Sequence, residues 1–117
     1  MTKIQKQEGI TVVEVGTEYD SLDVAKINEF GGELLAAVAQ AEPPKVLLDM
    51  RSTTFIGSSF LGLLIRAWKR LRDRQGTLAL CNVNDVCGDV LHASKLDMIW
   101  QVFPDRDAAV WHLRQND

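Results

Sequence analysis

Between Lys45 and Trp68 the chain reads KVLLDMRSTTFIGSSFLGLLIRAW, and the period of its apolar residues changes in the middle. Val46, Leu47 and Leu48 form a continuous apolar run ending in Asp49, the pattern of a strand buried on both faces. From Leu61 onward the apolar residues recur as Leu61, Leu64, Ile65, Trp68 and Leu71, which is helical spacing with a core-facing stripe. A strand buried on both sides needs covering elements on each face. Ser58 and Ser59 stand where strand gives way to helix. There a side-chain oxygen can cap free amides, and the amides and helix dipole favour an added phosphate.

The flanking segments continue the alternation. Ile4 to Gln7 and Ile10 to Val15 read as strands around a Glu8-Gly9 turn, giving a β-hairpin or one bent strand. A helix from about Asp23 to Gln40, capped by Asp20 or Ser21, buries Val24, Ile27, Phe30, Leu34, Leu35 and Val38 and ends before Pro43-Pro44. The serine-headed helix runs from Ser58 to about Arg74 and stops at Gly76; Thr77 to Cys81 is the next buried strand. Asn82 or Asn84 starts a third helix with Val86, Val90 and Leu91 on one face, ending near Ser94. Ile99 to Phe103 fits a short last strand, and Asp105 or Asp107 starts a terminal helix carrying Ala108, Val110, Trp111 and Leu113. This order predicts one domain over residues 1–117, built on a mixed, mostly parallel sheet of four to five strands with about four helices.

A length of 117 residues, 46% hydrophobic and 25% charged, is enough for one core. The formal charge of -3 gives no footprint for nucleic acid and points to a protein partner. Cys81 and Cys87 form neither a disulfide framework nor a zinc site and read as reduced, packed thiols. The N-terminal MTKIQKQEGITVVEVG has no signal-peptide apolar stretch and no run reaches membrane-spanning length, so the expected location is the cytoplasm, without membrane insertion.

Four constellations invite a chemical reading. Ser58-Ser59 after Gly57 does not make a nucleophile elbow, because G-x-S-x-G around Ser59 requires glycine where Leu61 stands, and nothing brings His92 or His112 to the serines; the plain alternative is a helix cap. Asp49 in VLLDMRS resembles the phosphoacceptor of a response-regulator receiver, but only Glu18 and Asp20 lie near the first strong strand's end and no magnesium ligand set assembles. Asp49 is then a strand-end residue bonded to local backbone N–H groups. Arg66, Lys69, Arg70, Arg72 and Arg74 read as a solvated face, with steering of an acidic or phosphate-bearing partner as the functional alternative. Trp68, Trp100 and Trp111 all read as core packing. Gly31-Gly32 fits neither dinucleotide nor P-loop spacing, so neither an enzyme nor a nucleotide-binding protein is expected, and no cofactor or metal.

FIGSSFLGLLIRAWKRLRDRQGTLALCNV followed by KLDMIWQVFPDRDAAVWHL resembles the STAS domain, the module shared by anti-sigma factor antagonists and the cytoplasmic ends of sulfate transporters. The resemblance covers nearly the whole chain. It implies a non-catalytic switch: the unmodified protein binds an anti-sigma factor that is itself a serine kinase, phosphorylation ends the binding, and a serine phosphatase resets it. Ser58 matches the phosphoacceptor position. The family usually reads Asp-Ser-Ser-Gly or Asp-Ser-Thr-Gly there, whereas this chain reads Gly57-Ser58-Ser59-Phe60. The competing class is a constitutive binding or scaffold subunit of a signalling or transport assembly, with Ser58 only a cap.

Ser58, Ser59 and Phe60 make up the expected partner-binding set. With the buried stripe beginning at Leu61, Phe60 is placed beside the serines as an exposed anchor or, equally, folded back onto Thr54, Ile56 or the first helix. The first strand remains free to stay an open edge, to form a homodimer, or to be covered by a partner.

Overall fold

The computed structural model describes residues 3–15 and 24–115. Strands β1 (Lys3–Gln7) and β2 (Ile10–Glu14) form the hairpin alternative, pairing antiparallel from Lys3↔Glu14 to Gln7↔Ile10. Glu8 and Gly9 both have positive φ, 52° and 90°, the two-residue turn whose twist matches that of the flanking strands. Then follow α1 (Val24–Gln40), β3 (Lys45–Asp49), α2 (Ser58–Asp73), β4 (Thr77–Cys81), α3 (Asp85–Ala93), a 3-10 turn at Leu96–Met98, β5 (Gln101–Phe103) and α4 (Arg106–Gln115). The capping residues expected at Asp20 or Ser21, and the side chain of Val24, lie outside what is described.

In space the strands run β1-β2-β3-β4-β5, with β1 antiparallel and every later pairing parallel. Each parallel crossover steps to the next strand in the same direction, and right-handed crossovers therefore put α1, α2 and α3 on one face. The helix after the last strand, α4, covers the other. Alternation along β3 divides its side chains: Val46 and Leu48 join the larger core with Phe30, Leu34, Phe60, Leu64 and Trp100. Leu47 joins the smaller one with Val12, Ala79, Ala109, Val110 and Leu113.

Several helix faces differ from the sequence expectation. The buried residues of α2 are Phe60, Leu63, Leu64, Ala67 and Leu71, while Leu61, Ile65 and Trp68 are half-buried on its flank. The stripe is displaced because α1 comes in closely at Gly31, where a Cβ would lie 2.6 Å from Leu63 Cδ2, so the face of α2 turned to α1 is buried too. On α3 the inward pair is Cys87 and Leu91, one turn apart, and Val86 is exposed. Trp111 is 64% exposed, because α4 meets the sheet through Ala109, Val110 and Leu113. Trp100 is buried, and Trp68 is half-buried beneath the Arg72 guanidinium, 4.7 Å from the ring centroid. Arg74 is no part of a solvated face: its Nη1 donates to the Val38 carbonyl at 2.6 Å, tying the end of α2 to α1. β5 is shorter than expected, since Ile99 and Trp100 belong to the turn after Leu96–Met98.

The end of α2 uses its glycine for space. Gln75, at φ 59°, is the left-handed residue, whereas a Cβ at Gly76 would run into the Pro44 carbonyl oxygen and sit 3.1 Å from that of Leu71. Gly76→Ala should therefore lower stability by about 1–3 kcal/mol, the usual cost of overpacking. Gly32, exposed inside α1 with nothing within 4 Å of a new Cβ, should respond oppositely. Replacing it with alanine adds up to about 1 kcal/mol through helix propensity. In urea denaturation the two midpoints should fall on opposite sides of the parent's.

Candidate functional site

The carboxyl ends of the parallel strands, where open α/β sheets form their crevices, hold the polar groups of interest. Asp49 ends β3 with 0% exposure, and a charge so deeply placed must be paired and hydrogen-bonded. Arg106, at the start of α4, donates to Asp49 Oδ2 from Nε at 3.0 Å and from Nη2 at 2.8 Å, and from Nη2 to Glu14 Oε2 at 3.1 Å. Asp49 Oδ1 accepts from Asn82 Nδ2 at 2.9 Å and from the Arg51 amide at 3.1 Å. Burial alone would raise the Asp49 pKa, but the hydrogen bonds from Asn82, Arg106 and Arg51 and the Arg106 charge outweigh it and hold the carboxyl below its ordinary value.

The Arg51 contact is the local backbone bond expected of a strand-end aspartate; the Arg106 pair, 57 residues away, was not foreseen. Its signal lies in the sequence. Asp105 caps α4 by accepting from the Ala108 amide at 2.8 Å, and the next residue is an arginine, a cation at a helix start where the dipole disfavours it. Such a residue needs carboxylates nearby.

From Asp49 the chain enters the 50–57 loop, which is pinned along its length. Met50 N–H donates to the Cys81 carbonyl at 3.0 Å and Thr53 N–H to that of Met50 at 3.0 Å. Asn84 caps α3 by accepting from the Cys87 amide at 2.8 Å, while its Nδ2 donates to the carbonyls of Thr53 at 3.2 Å and Thr54 at 3.3 Å. Met50 and Ile56 are buried, and Phe55, just before Ile56, is 42% exposed.

Gly57 then serves as the N-cap of α2 in an extended conformation, and its carbonyl accepts from the Leu61 amide at 3.0 Å. Ser58 and Ser59 are therefore the first two residues inside the helix, both exposed, and neither occupies the capping position. Their amides belong to the first turn, which has no intrahelical acceptors.

Phe60 departs from the exposed-anchor alternative. It is 1% exposed and stacks on Phe30 of α1, with centroids 5.3 Å apart and planes 4° from parallel. Its periodicity explains this: Phe60, Leu63, Leu64, Ala67 and Leu71 form one inward stripe. The aromatic at the surface beside the serines is Phe55, which sequence reasoning missed because a single apolar residue in a loop has no period to place it. Since Leu63 faces α1, the half-buried Leu61, Ile65 and Trp68 occupy the opposite flank of α2, the side on which the strand order sets α3. With the half-buried Val83 and Val90 and the exposed Val86, they leave partly covered apolar side chains on α2 and on and just before α3.

Other reactive side chains stay away from the serines. His92, in the last turn of α3, pairs with Asp97 at 2.9 Å, and His112 lies across the sheet on α4, 5.1 Å from the Phe103 ring. Cys81 and Cys87 are buried and unbonded to each other. Burial, with the Asp49 charge beside it, pushes the Cys81 thiol up to about 12. Among the described residues no group of three His, Cys, Asp or Glu side chains is arranged to hold a metal ion.

Fold and site together define a small α/β domain that presents a serine-headed helix at the carboxyl edge of its sheet. The chain belongs to the STAS domain family, whose model matches residues 1–109. It is similar to an anti-sigma-factor antagonist (STAS) domain protein from Planctomyces limnophilus, with 31% identity over 97% of each chain and a TM-score of 0.89. The anti-sigma factor antagonist SpoIIAA of Bacillus, in its unphosphorylated form, shares the fold at 17% identity, covering 100% of this chain and 99% of that one with a TM-score of 0.80. The murine anion transporter solute carrier 26 family member A9 also contains the fold, at 16% identity and a TM-score of 0.76, over 96% of this chain and 19% of that one. None of the curated proteins compared with the chain matches it.

The buried pair makes a prediction about acid. A carboxyl whose folded pKa is depressed contributes stability that is fully present above the unfolded value of about 3.9 and is lost as pH falls through the folded pKa. Stability should therefore drop below about pH 4. Arg106→Ala, which strands a buried carboxylate, should cost about 3–5 kcal/mol at neutral pH. It should also reverse the acid limb, because an unpaired buried Asp49 is better tolerated protonated. Urea denaturation of parent and variant across pH checks both.

Proposed function

We propose that this protein is an anti-sigma factor antagonist: a cytoplasmic binding protein, itself without catalytic activity, that engages a serine-kinase anti-sigma factor and is released when that kinase phosphorylates Ser58. A serine phosphatase restores the binding form. The observation that carries the reading is the exposure of Ser58 at the head of α2, at the end of a loop fixed by Asn84 and by the Met50 and Thr53 amides. A phosphate there adds roughly -1.5 to -2 charge and is stabilised by the first-turn amides and the helix dipole. It would place an anionic group beside the exposed Phe55 and the half-buried Leu61.

The most informative relatives support the same reading. The Planctomyces protein is described as an anti-sigma-factor antagonist, and SpoIIAA is described in a phosphorylated as well as an unphosphorylated form. Among the described residues no helix is long and apolar enough to cross a membrane. In this scheme Ser58 and Ser59 contact the partner directly. Phe60 acts from beneath by fixing the helix head against α1, and Phe55 takes the surface place assigned to it.

One feature favours a second reading, constitutive binding as a scaffold subunit. Gly57 stands where the family usually carries aspartate, which removes a charge beside the acceptor that a kinase must recognise. Incubation with an anti-sigma serine kinase and ATP, followed by intact-mass and peptide mapping, separates the two. The phospho-switch predicts one phosphate, on Ser58, lost in Ser58→Ala and kept in Ser59→Ala. It also predicts that Ser58→Asp weakens kinase binding at least about tenfold, a cost of about 1.4 kcal/mol. An unmodified protein that binds its partner equally well as Ser58→Asp would establish the constitutive reading.

A further inference from the structure

The side of α2 away from the sheet carries more charge than its role as a covering helix requires. Arg66, Lys69, Arg70 and Arg72 stand against Asp73 alone, so α2 is positive by three charges (four minus one) in a chain whose formal charge is -3. All four cations are exposed. Arg72 lies over Trp68, but among the described residues no carboxylate pairs with Arg66, Lys69 or Arg70.

The second observation is Gly62. It is exposed in the interior of the same helix, and a Cβ there would meet nothing within 4 Å, so neither the fold nor the packing of α2 calls for glycine. Glycine is the poorest helix former after proline, and here no contact inside the molecule compensates. Gly32 of α1 is open in the same way, but Gly62 is the one that stands in line with cations left unpaired among the described residues. Ser58, Gly62, Arg66, Lys69 and Asp73 follow one another at four- and three-residue spacing, so they form a single line down the helix, with Ser59 and Arg70 beside it. The bare backbone at Gly62 lies between the serines and the cations.

We infer that this line on α2 is a docking strip for an acidic helix of a partner protein, whose backbone comes in close at Gly62 and whose carboxylates meet Arg66, Lys69 and Arg70. This rests on reading α2 as the partner-binding helix, but not on phosphorylation of Ser58. A helix is favoured over a lipid surface because the line itself carries no apolar side chain, the exposed Phe55 and Val86 lying off α2, and offers instead open backbone at Gly62. It is favoured over nucleic acid because the rest of the chain is acidic and would oppose an extended polyanion. α2 spans 16 residues, or about 24 Å, so a partner helix of similar length covers the strip.

The test is an amide chemical-shift titration of the full chain with a glutamate-rich amphipathic helical peptide, its lysine-rich counterpart, vesicles of phosphatidylserine and a short DNA duplex. The strip predicts shifts centred on Ser59, Gly62, Arg66, Lys69 and Arg70 with the glutamate peptide alone. Affinity should fall roughly tenfold as ionic strength rises from about 0.1 to about 1 M and the Debye length shrinks from about 10 to about 3 Å. Charge reversal by Arg66→Glu, Lys69→Glu and Arg70→Glu together should abolish the shifts. Gly62→Leu should weaken them while circular dichroism shows the helix retained. Shifts centred elsewhere, undiminished binding by the reversed variant, or a stronger response to vesicles or DNA would overturn the inference. Phosphorylation of Ser58, measured separately by mass, reports on the switch alone, so the two ideas fail independently.

Discussion

Asp49 carries a charge at the end of the central strand with no access to water, and the carboxyl edge of the fold is arranged around satisfying it. Arg106 supplies the counter-charge from α4, on the face of the sheet opposite α1, α2 and α3. It also holds Glu14 at the end of β2, so one guanidinium joins two strands and a helix. Asn82 and the Arg51 amide complete the carboxylate's hydrogen bonds from just past β4 and from the loop that leads to α2. Desolvation offsets much of the pair's Coulombic gain, but its directional bonds permit few alternative placements of those five segments.

That constraint bears on function through the loop. Residues 50–57 leave β3 at Asp49 and are tied to β4 through Cys81 and to the cap of α3 through Asn84. The helix they lead into is held from below by the Phe60 ring on Phe30 and by the close approach of α1 at Gly31. Gly57 takes the capping position, which places the serines inside the first turn with their side chains at the surface. Buried bonds and stacked rings thus fix the backbone, and the two hydroxyls are left to the solvent. A modification or a partner at Ser58 meets a preorganised surface, which lowers the ordering cost of recognition.

The parts legible in sequence are those governed by period and by strong local signals. The switch from the run Val46–Leu48 to helical spacing located β3 and α2, and the order of elements gave the mostly parallel sheet. The errors came where neighbours decide. The buried stripe of α2 differs by one residue from the expected one because Gly31 admits α1 on that side, and this inverts the roles of Phe60 and Leu61. Trp111 and Val86 are exposed although their spacing fits a core, since short helices bury only the few residues their packing partners reach. Ser58 and Ser59 were recognisable as a helix head, but the partnership of Asp49 with Arg106 joins positions 57 residues apart and needed the topology to bring them together.

The central claim is that a rigid, internally bonded loop presents an open helix head, and native-state hydrogen exchange measures both halves at once. The account predicts that the amides of Met50, Arg51 and Thr53 are protected nearly as well as those of β3, while the amides of Ser58 and Ser59 exchange at close to unprotected rates. Rapid exchange at Met50, Arg51 and Thr53, or strong protection at the two serines, would contradict it.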